Sequence, residues 1–297
     1  MRRSGGAIEM NWTRRSLLAA GAIGATAPSL AWAYPADAAM WEVRDGRAKV
    51  FLFGDNPSLR TPWRSARFDA ALNESAVFWK ETPDAGPGAN ALFVAKGIDP
   101  ARPLSTWLTP KDRARVAAAA ATVGLAPVLL QRLRPWLAGV FLDSGFRSHF
   151  GFRPENGPEY QLSAAAKAAG KPLHSEFPDE AAIVDYFAGF SPAAEVGELL
   201  RAVDDIEAGP DAAQREAEAW AIGDQRYDIQ RVRQVRRVYP EYYQAILVAR
   251  NRRWAPRIRA MLDGGGTTFV LVGGEHLAGP DSVLAQLEAA GMTARRV

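Results

Sequence analysis

The pattern of apolar and polar positions divides the chain into strand-forming ends and a helix-forming middle. Two β-rich runs within residues 40–54 flank Asp45-Gly46, a strong two-residue turn signal, and together predict a β-hairpin. Residues 75–81 predict a third strand. Near the other end, residues 267–274 ("TTFVLVGG") form a continuous apolar run that ends in glycines. Such a run is typical of a strand that is buried on both faces.

Between these strands the pattern is helical, with one short strand predicted at residues 171–176 ("KPLHSE"). Thr109-Pro110 and Pro178-Asp179 have the residue types that begin helices. Residues 191–262 are almost wholly helical in pattern. Pro256 should kink or break the last of these helices, because proline lacks the amide hydrogen that a helix interior uses.

A helix over residues 282–290 and a last strand over 292–297 complete the prediction. The fold class is therefore α/β, with a central mixed sheet formed by the N- and C-terminal strands. A long helical insertion, about residues 100–262, separates the two groups of strands. We expect residues 34–297 to form a single domain.

Residues 1–33 resemble a bacterial export signal. Arg14 and Arg15 form a twin-arginine pair, an Ala-rich apolar stretch follows from Leu17 to Leu30, and residues 31–33 (A-W-A) form a cleavage site. We therefore expect a periplasmic protein with no stable membrane span after signal cleavage. An N-terminal membrane anchor is the alternative, although the apolar run is shorter than the ~20 residues that a span needs.

Charge and cysteine content exclude several functions. The formal charge of +3 falls to about zero without residues 1–33, which hold four arginines and one glutamate. The sequence predicts a solvated helix face around a cluster of arginines that is interleaved with acids elsewhere: Arg231, Arg233, Arg236 and Arg237. We therefore expect no nucleic-acid partner. The absence of cysteine excludes disulfides, thiolate metal sites and a cysteine nucleophile.

Candidate chemistry centres on His276. The chain has three histidines, so a histidine-rich metal cage is excluded and any metal site must use carboxylates. His276 follows the predicted buried strand, at the sheet edge where ligands bind in open α/β folds. Gly273 and Gly274 before it would let backbone amides approach a ligand. From these features alone, a structural loop histidine is the simpler interpretation.

Longer segments make a family resemblance visible. The C-terminal segment "FVLVGGEHLAGPDSVLAQLEAAGMTARRV" closely resembles the signature of the TraB/GumN (TraB/PrgY/GumN) family, with Gly273 and His276 in its G-x-x-H motif. "YPEYYQAILVARNRRWAPRI" is similar to a family helix through Arg250 and Asn251, and "LSAAAKAAGKPLHSE" has Glu176 at the family's acidic position. With the N-terminal hairpin, the resemblance covers most of residues 38–297.

The resemblance implies a hydrolase. Some members of the family are metal-dependent proteases, thought to use two G-x-x-H motifs and a glutamate after an early strand. The corresponding residues here are His276 and Glu81, which ends "AVFWKE". A histidine and a carboxylate could hold a divalent cation, with Mn²⁺, Co²⁺ or Zn²⁺ as candidates, and activate water. The substrate would be a peptide.

The first G-x-x-H motif is broken. This chain has Gly54, Asp55, Asn56 and Pro57 there, and a proline side chain cannot ligate a metal. Asp55 or Asn56 as a substitute would give an oxygen-rich site suited to Mn²⁺, Mg²⁺ or Ca²⁺. The competing hypothesis is a catalytically inactive periplasmic protein that binds a peptide, small molecule or partner on the same fold.

Family association alone suggests a third role, as an accessory to envelope polysaccharide export. Alternatives also stay open for three of the site candidates. Arg250 and Asn251 either line the pocket or attach their helix to the sheet, and Glu176 lies either near the site or on the surface. The sequence leaves the substrate, the metal and the oligomeric state open.

Overall fold

The computed structural model describes residues 37–56, 58–84, 86 and 89–297. The predicted export signal and Pro57 lie outside these residues. Six strands form one sheet in the order β4-β3-β5-β2-β1-β6. The strands are β1 (Met40–Asp45), β2 (Ala48–Asp55), β3 (Val77–Lys80), β4 (Leu173–Ser175), β5 (Thr267–Gly273) and β6 (Ala294–Arg296).

The two chain ends build the centre of this sheet, as predicted. β1 and β2 pair antiparallel around a turn in which Gly46 has a φ of 57°, a conformation that favours glycine. β5 pairs parallel with both β2 and β3, and β6 adds antiparallel to β1. The α/β class and the mixed sheet of the prediction are thereby confirmed.

Helices occupy most of the chain between β3 and β5. The helices of the described residues are α1 (Ala66–Glu74), α2 (Ala89–Gly97), α3 (Pro110–Thr122), α4 (Pro127–Leu130), α5 (Pro135–His149), α6 (Pro158–Ala168), α7 (Glu180–Ala188), α8 (Pro192–Ala208), α9 (Pro210–Ala221), α10 (Arg226–Val238), α11 (Pro240–Tyr243), α12 (Ala249–Asp263) and α13 (Val283–Ala289). A π-helical turn, Gln244–Val248, joins α11 to α12. A 3₁₀ turn, Gly274–Leu277, follows β5.

The sheet is covered on both faces. Alternate residues of β2, Phe51 and Phe53, pack with α1, α6 and α9 on one face. The residues between them, Val50 and Leu52, pack with α12 and α13 on the other. This alternation follows from the two-residue period of a strand, and it explains why β5 is apolar throughout. The insertion has an apolar core of its own, formed mainly by α3, α5 and α8.

The prediction of a helix break at Pro256 was wrong. Pro256 lies inside α12, and the helix is continuous across it. Pro256 is exposed, whereas Trp254 and Ile258 on the same helix are fully buried against the sheet. Packing of that buried face offsets the hydrogen bond that the proline removes, so tertiary contacts override the local preference.

The arginine-rich helix α10 is solvated in part only. Arg233, Arg236 and Arg237 are exposed, as predicted. Arg231 instead turns inward and forms two hydrogen bonds of 2.6 Å to Asp205, and one of 2.5 Å to Glu275 beside His276. Within the described part of the chain, no helix has both the length and the apolar character of a membrane span.

Candidate active site

Four parallel strands end at the same edge of the sheet and place polar residues there. β2 ends in Asp55, β3 is followed by Glu81, and β4 is followed by Glu176. β5 leads directly into the 3₁₀ turn that carries His276. Because the carboxyl ends of parallel strands form the usual ligand-binding edge of an α/β sheet, this is the candidate active site.

His276 is buried and its tautomer is fixed by Asn251. The Asn251 side-chain amide donates to the carbonyl oxygen of Asp281 at 2.8 Å, so its own oxygen points the other way. That oxygen lies 2.5 Å from His276 Nδ1. Since the Asn251 oxygen can only accept, Nδ1 must be the donor, and in the neutral imidazole Nε2 keeps a lone pair.

Glu81 faces this lone pair. Its Oε1 atom lies 3.6 Å from His276 Nε2 and 2.7 Å from an Arg250 nitrogen, while Oε2 accepts a 2.9 Å hydrogen bond from the Gly273 amide. Burial raises the pKa of the Glu81 carboxyl, but the charge of Arg250, together with the contacts to His276 and the Gly273 amide, outweighs burial and holds that pKa well below its usual range. Glu81 is therefore an anion, and its side chain is 24% exposed.

Arg250 joins Glu81 to Glu176. Its guanidinium is buried and hydrogen-bonds Glu176 through Nε and Nη2 while it also contacts Glu81. Arg253, one turn later on α12, donates to Glu176 at 3.1 Å. The two carboxylates and two guanidiniums thus form one network that spans β3, β4 and α12. Both site candidates Arg250 and Glu176 belong to it, so neither is a surface residue.

The glycines permit a close approach between the ends of β2 and β5. A Cβ atom on Gly54 would lie 3.1 Å from Gly274 Cα, closer than side chains normally come to backbone. A Cβ on Gly273 would lie 3.3 Å from Glu81 Oε2. The Trp220 indole donates to the Gly54 carbonyl at 2.7 Å and fixes the strand end. Gly54, Gly273 and Gly274 therefore bring backbone and site residues together.

Asp55 lies at the same edge but its side chain belongs to the opposite face. The alternation along β2 places it with Phe51 and Phe53, on the side of α6. Burial, together with the charges of Glu159 and Glu81, raises the pKa of the Asp55 carboxyl well above its usual range. Within the described part of the chain, one oxygen of Asp55 and one of Asn56 are buried without a hydrogen-bond partner.

The donor set around His276 does not fit a closed metal site. Among the described residues, no group of three or more histidine, cysteine, aspartate or glutamate side chains could hold a metal ion. His276 Nε2 and Glu81 Oε1 face each other, and the Arg250 cation already contacts that oxygen. Protein zinc sites use at least three ligands.

Sequence reasoning missed two charged neighbours of the site. Arg253 extends the ionic network, and Asp228 on α10 lies behind the 3₁₀ turn, where a Cβ on Gly274 would come within 3.3 Å of its carboxylate. Burial and the charges of Glu216 and Glu275 raise the pKa of Asp228 to about 7. No local pattern marks either residue, because each depends on how separate helices pack.

Comparison with known proteins agrees with the resemblance found in the sequence. A model of the TraB/PrgY/gumN family matches residues 39–296, nearly all of the chain beyond the predicted export signal. Comparisons with curated proteins and with solved structures found no match.

Proposed function

Because the chain belongs to the TraB/PrgY/gumN family, we propose that it is a hydrolase that cleaves peptide bonds with His276 and Glu81. One observation carries this proposal. Asn251 fixes the His276 imidazole so that the Nε2 lone pair faces the Glu81 carboxylate at 3.6 Å. A water molecule at hydrogen-bond distance from both acceptors, about 2.8 Å, would donate one proton to each.

In the proposed reaction His276 is the general base. Nε2 takes a proton from the water while the water oxygen adds to the carbonyl carbon of the substrate. The imidazolium then gives that proton to the leaving amine as the carbon–nitrogen bond breaks. Glu81 stabilises the imidazolium, and the Arg250 guanidinium keeps Glu81 ionised. A positioned base of this kind accelerates such reactions by about 10²–10⁴-fold.

The decisive experiment measures hydrolysis of a mixed peptide library by the mature chain. We expect His276→Ala to lower the rate at least ~100-fold, in line with the loss of a general base. His149→Ala is the matched control, since His149 is exposed at the end of α5, and it should retain the full rate. Equal rates for wild type and His276→Ala would overturn the proposal.

The metal-dependent mechanism suggested by the resemblance has its own readout. If Mn²⁺, Co²⁺ or Zn²⁺ raises the melting temperature and His276→Ala removes the increase, the ion binds at His276 and the metal-free mechanism is wrong. An unchanged hydrolysis rate after treatment with a chelator supports the metal-free mechanism.

A non-catalytic binding protein is the second candidate. It is favoured by the Arg250 contact, which already neutralises Glu81, and by Pro57 in place of the histidine of the first G-x-x-H motif. The substitution Pro57→His separates the candidates. Hydrolysis that appears only in Pro57→His would mean that the natural chain binds a ligand without cleaving it.

We also propose that the protein works in the periplasm after twin-arginine export. Support comes from Arg14, Arg15 and the A-W-A sequence at 31–33. Cleavage after Ala33 would leave β1 close to the new N-terminus, since β1 begins at Met40. The catalytic sheet would thus be complete in the mature chain.

A further inference from the structure

The face of the sheet beside Glu81 carries a partly buried arginine, Arg257. Arg257, on α12, lies with its guanidinium carbon 5.2 Å from the ring centroids of both Trp79 and Trp254. Among the described residues it forms no salt bridge, and its Nη1 atom is buried without a hydrogen-bond acceptor. Burial, together with the charge of Arg253, lowers the pKa of Arg257.

Arg253 presents a second guanidinium on the same side of α12. Its side chain is 46% exposed, and it contacts Glu176 with one nitrogen, Nη2, at 3.1 Å. Its guanidinium carbon lies 5.4 Å from the Tyr186 ring centroid. Arg253 and Arg257 are four residues apart and so are neighbours along the helix surface.

The charges at this surface do not cancel. Arg250 and Arg253 of α12 contact the two carboxylates of Glu81 and Glu176, and Arg257 on the same helix forms no salt bridge among the described residues. Both carboxylates are already bound by Arg250, and Glu176 also accepts from Arg253. The surplus is one positive charge, and it falls at Arg257, the arginine farthest from either carboxylate.

This cationic surface is continuous with the candidate active site. Trp79 pairs with His174 across β3 and β4, and their rings lie 4.9 Å apart on the α12 face of the sheet. His174 is exposed, so the edge of this aromatic platform is open to ligand. Because side chains two residues apart share a strand face, Glu81 follows Trp79 on the same side at a distance of ~7 Å.

We propose that Arg257 and Arg253 form a subsite that binds an oxyanion of the substrate, a carboxylate or a phosphate group, about two residues from the bond that His276 attacks. This inference rests on the proposed function only where it places the subsite relative to the reacting bond. A planar guanidinium with free N–H groups binds such anions through paired hydrogen bonds. The aromatic rings beneath it fix its plane. The substrate is thus an acidic peptide or a phosphate-bearing one.

Calorimetric titration of the mature protein with succinate and, separately, inorganic phosphate tests the subsite without catalysis. We expect saturable binding of at least one of the two anions, and the anion that binds more tightly identifies the source of the charge. Arg257→Gln should weaken binding at least tenfold. Arg259→Gln is the matched control, since Arg259 is on the same helix and pairs with Asp45 at 2.7 Å, and it should bind as wild type.

Absence of saturable binding to wild type, or equal affinity in Arg257→Gln, would overturn the subsite. If Arg257→Gln does not fold, Arg253→Gln replaces it, because Arg253 is partly exposed and its loss should also weaken binding several-fold. The hydrolase proposal is tested by a separate measurement, the rate of peptide hydrolysis. If the protein binds the anion but hydrolyses no peptide, the subsite is real and belongs to a non-catalytic binding protein.

Discussion

At the scale of single residues, the site depends on one buried cation. Arg250 is 3% exposed and neutralises two carboxylates that reach it from different strands. Asn251, the next residue, fixes the tautomer of His276. Neighbouring positions of α12 thus control the charge of Glu81 and the lone pair of His276. Arg250 therefore both attaches its helix to the sheet and shapes the site.

We expect Arg250→Met to reduce the free energy of unfolding by about 3–5 kcal/mol, because it removes the counter-charge of Glu81 and leaves the buried Glu176 with the partly exposed Arg253 alone. Urea denaturation followed by circular dichroism measures the change. Arg259→Met, which removes a partly exposed ion pair from the same helix, should cost no more than about 1 kcal/mol. Similar losses for the two variants would contradict the central role of Arg250.

At the scale of elements, the site requires that the end of β2 and the 3₁₀ turn after β5 lie close to each other. Parallel pairing brings Asp55 opposite Gly273, and the chain then turns across the end of β2 at Gly274. Glycine at position 54 permits the contact. The G-x-x-H glycines of the two motifs thus have a packing role that is independent of any metal.

We expect Gly54→Ala to destabilise the protein by about 1–3 kcal/mol, because the new methyl group would push against the Gly274 backbone and displace the turn that carries His276. Gly264→Ala is the control, since Gly264 ends α12 with an ordinary helical φ of −71° and has room for a methyl group. It should be neutral or slightly stabilising. Melting temperatures of the two variants test the contrast, and equal effects would contradict it.

At the scale of the whole molecule, residues far apart in sequence close the sheet. β1 lies between β2 and β6, and the Val297 amide donates to the Met40 carbonyl at 3.0 Å. The helical insertion contributes α7, and Tyr186 of this helix covers the network around Glu176. Both ends of the chain therefore contribute neighbouring strands to one sheet.

We expect the double substitution Arg14→Lys and Arg15→Lys to retain the full-length precursor in the cytoplasm, because the twin-arginine pair is the feature that the export machinery recognises. Cell fractionation with mass spectrometry of the N-terminus measures the outcome, and the wild-type periplasmic form should begin at Tyr34. A membrane-bound wild-type chain that still carries residues 1–33 would instead support an N-terminal anchor.

The sequence by itself determined the features that depend on local chemistry. Asp45-Gly46 specifies the hairpin turn, the apolar run of β5 specifies a buried strand, and the glycines after it place His276 at the sheet edge. These features could be predicted because turn geometry and strand alternation act over a few residues. The family motifs also identified Glu81, Arg250 and the other site candidates.

Only the tertiary structure decided how those residues are paired. The sequence could not show that Arg250 binds Glu81 and Glu176, that Asp55 faces away from His276, or that Arg257 forms no salt bridge within the described residues. Each of these facts depends on the register of strands and on the rotation of a helix whose residues are distant in sequence. Ion pairs form between groups that folding brings within a few ångströms, so only long-range packing could specify them.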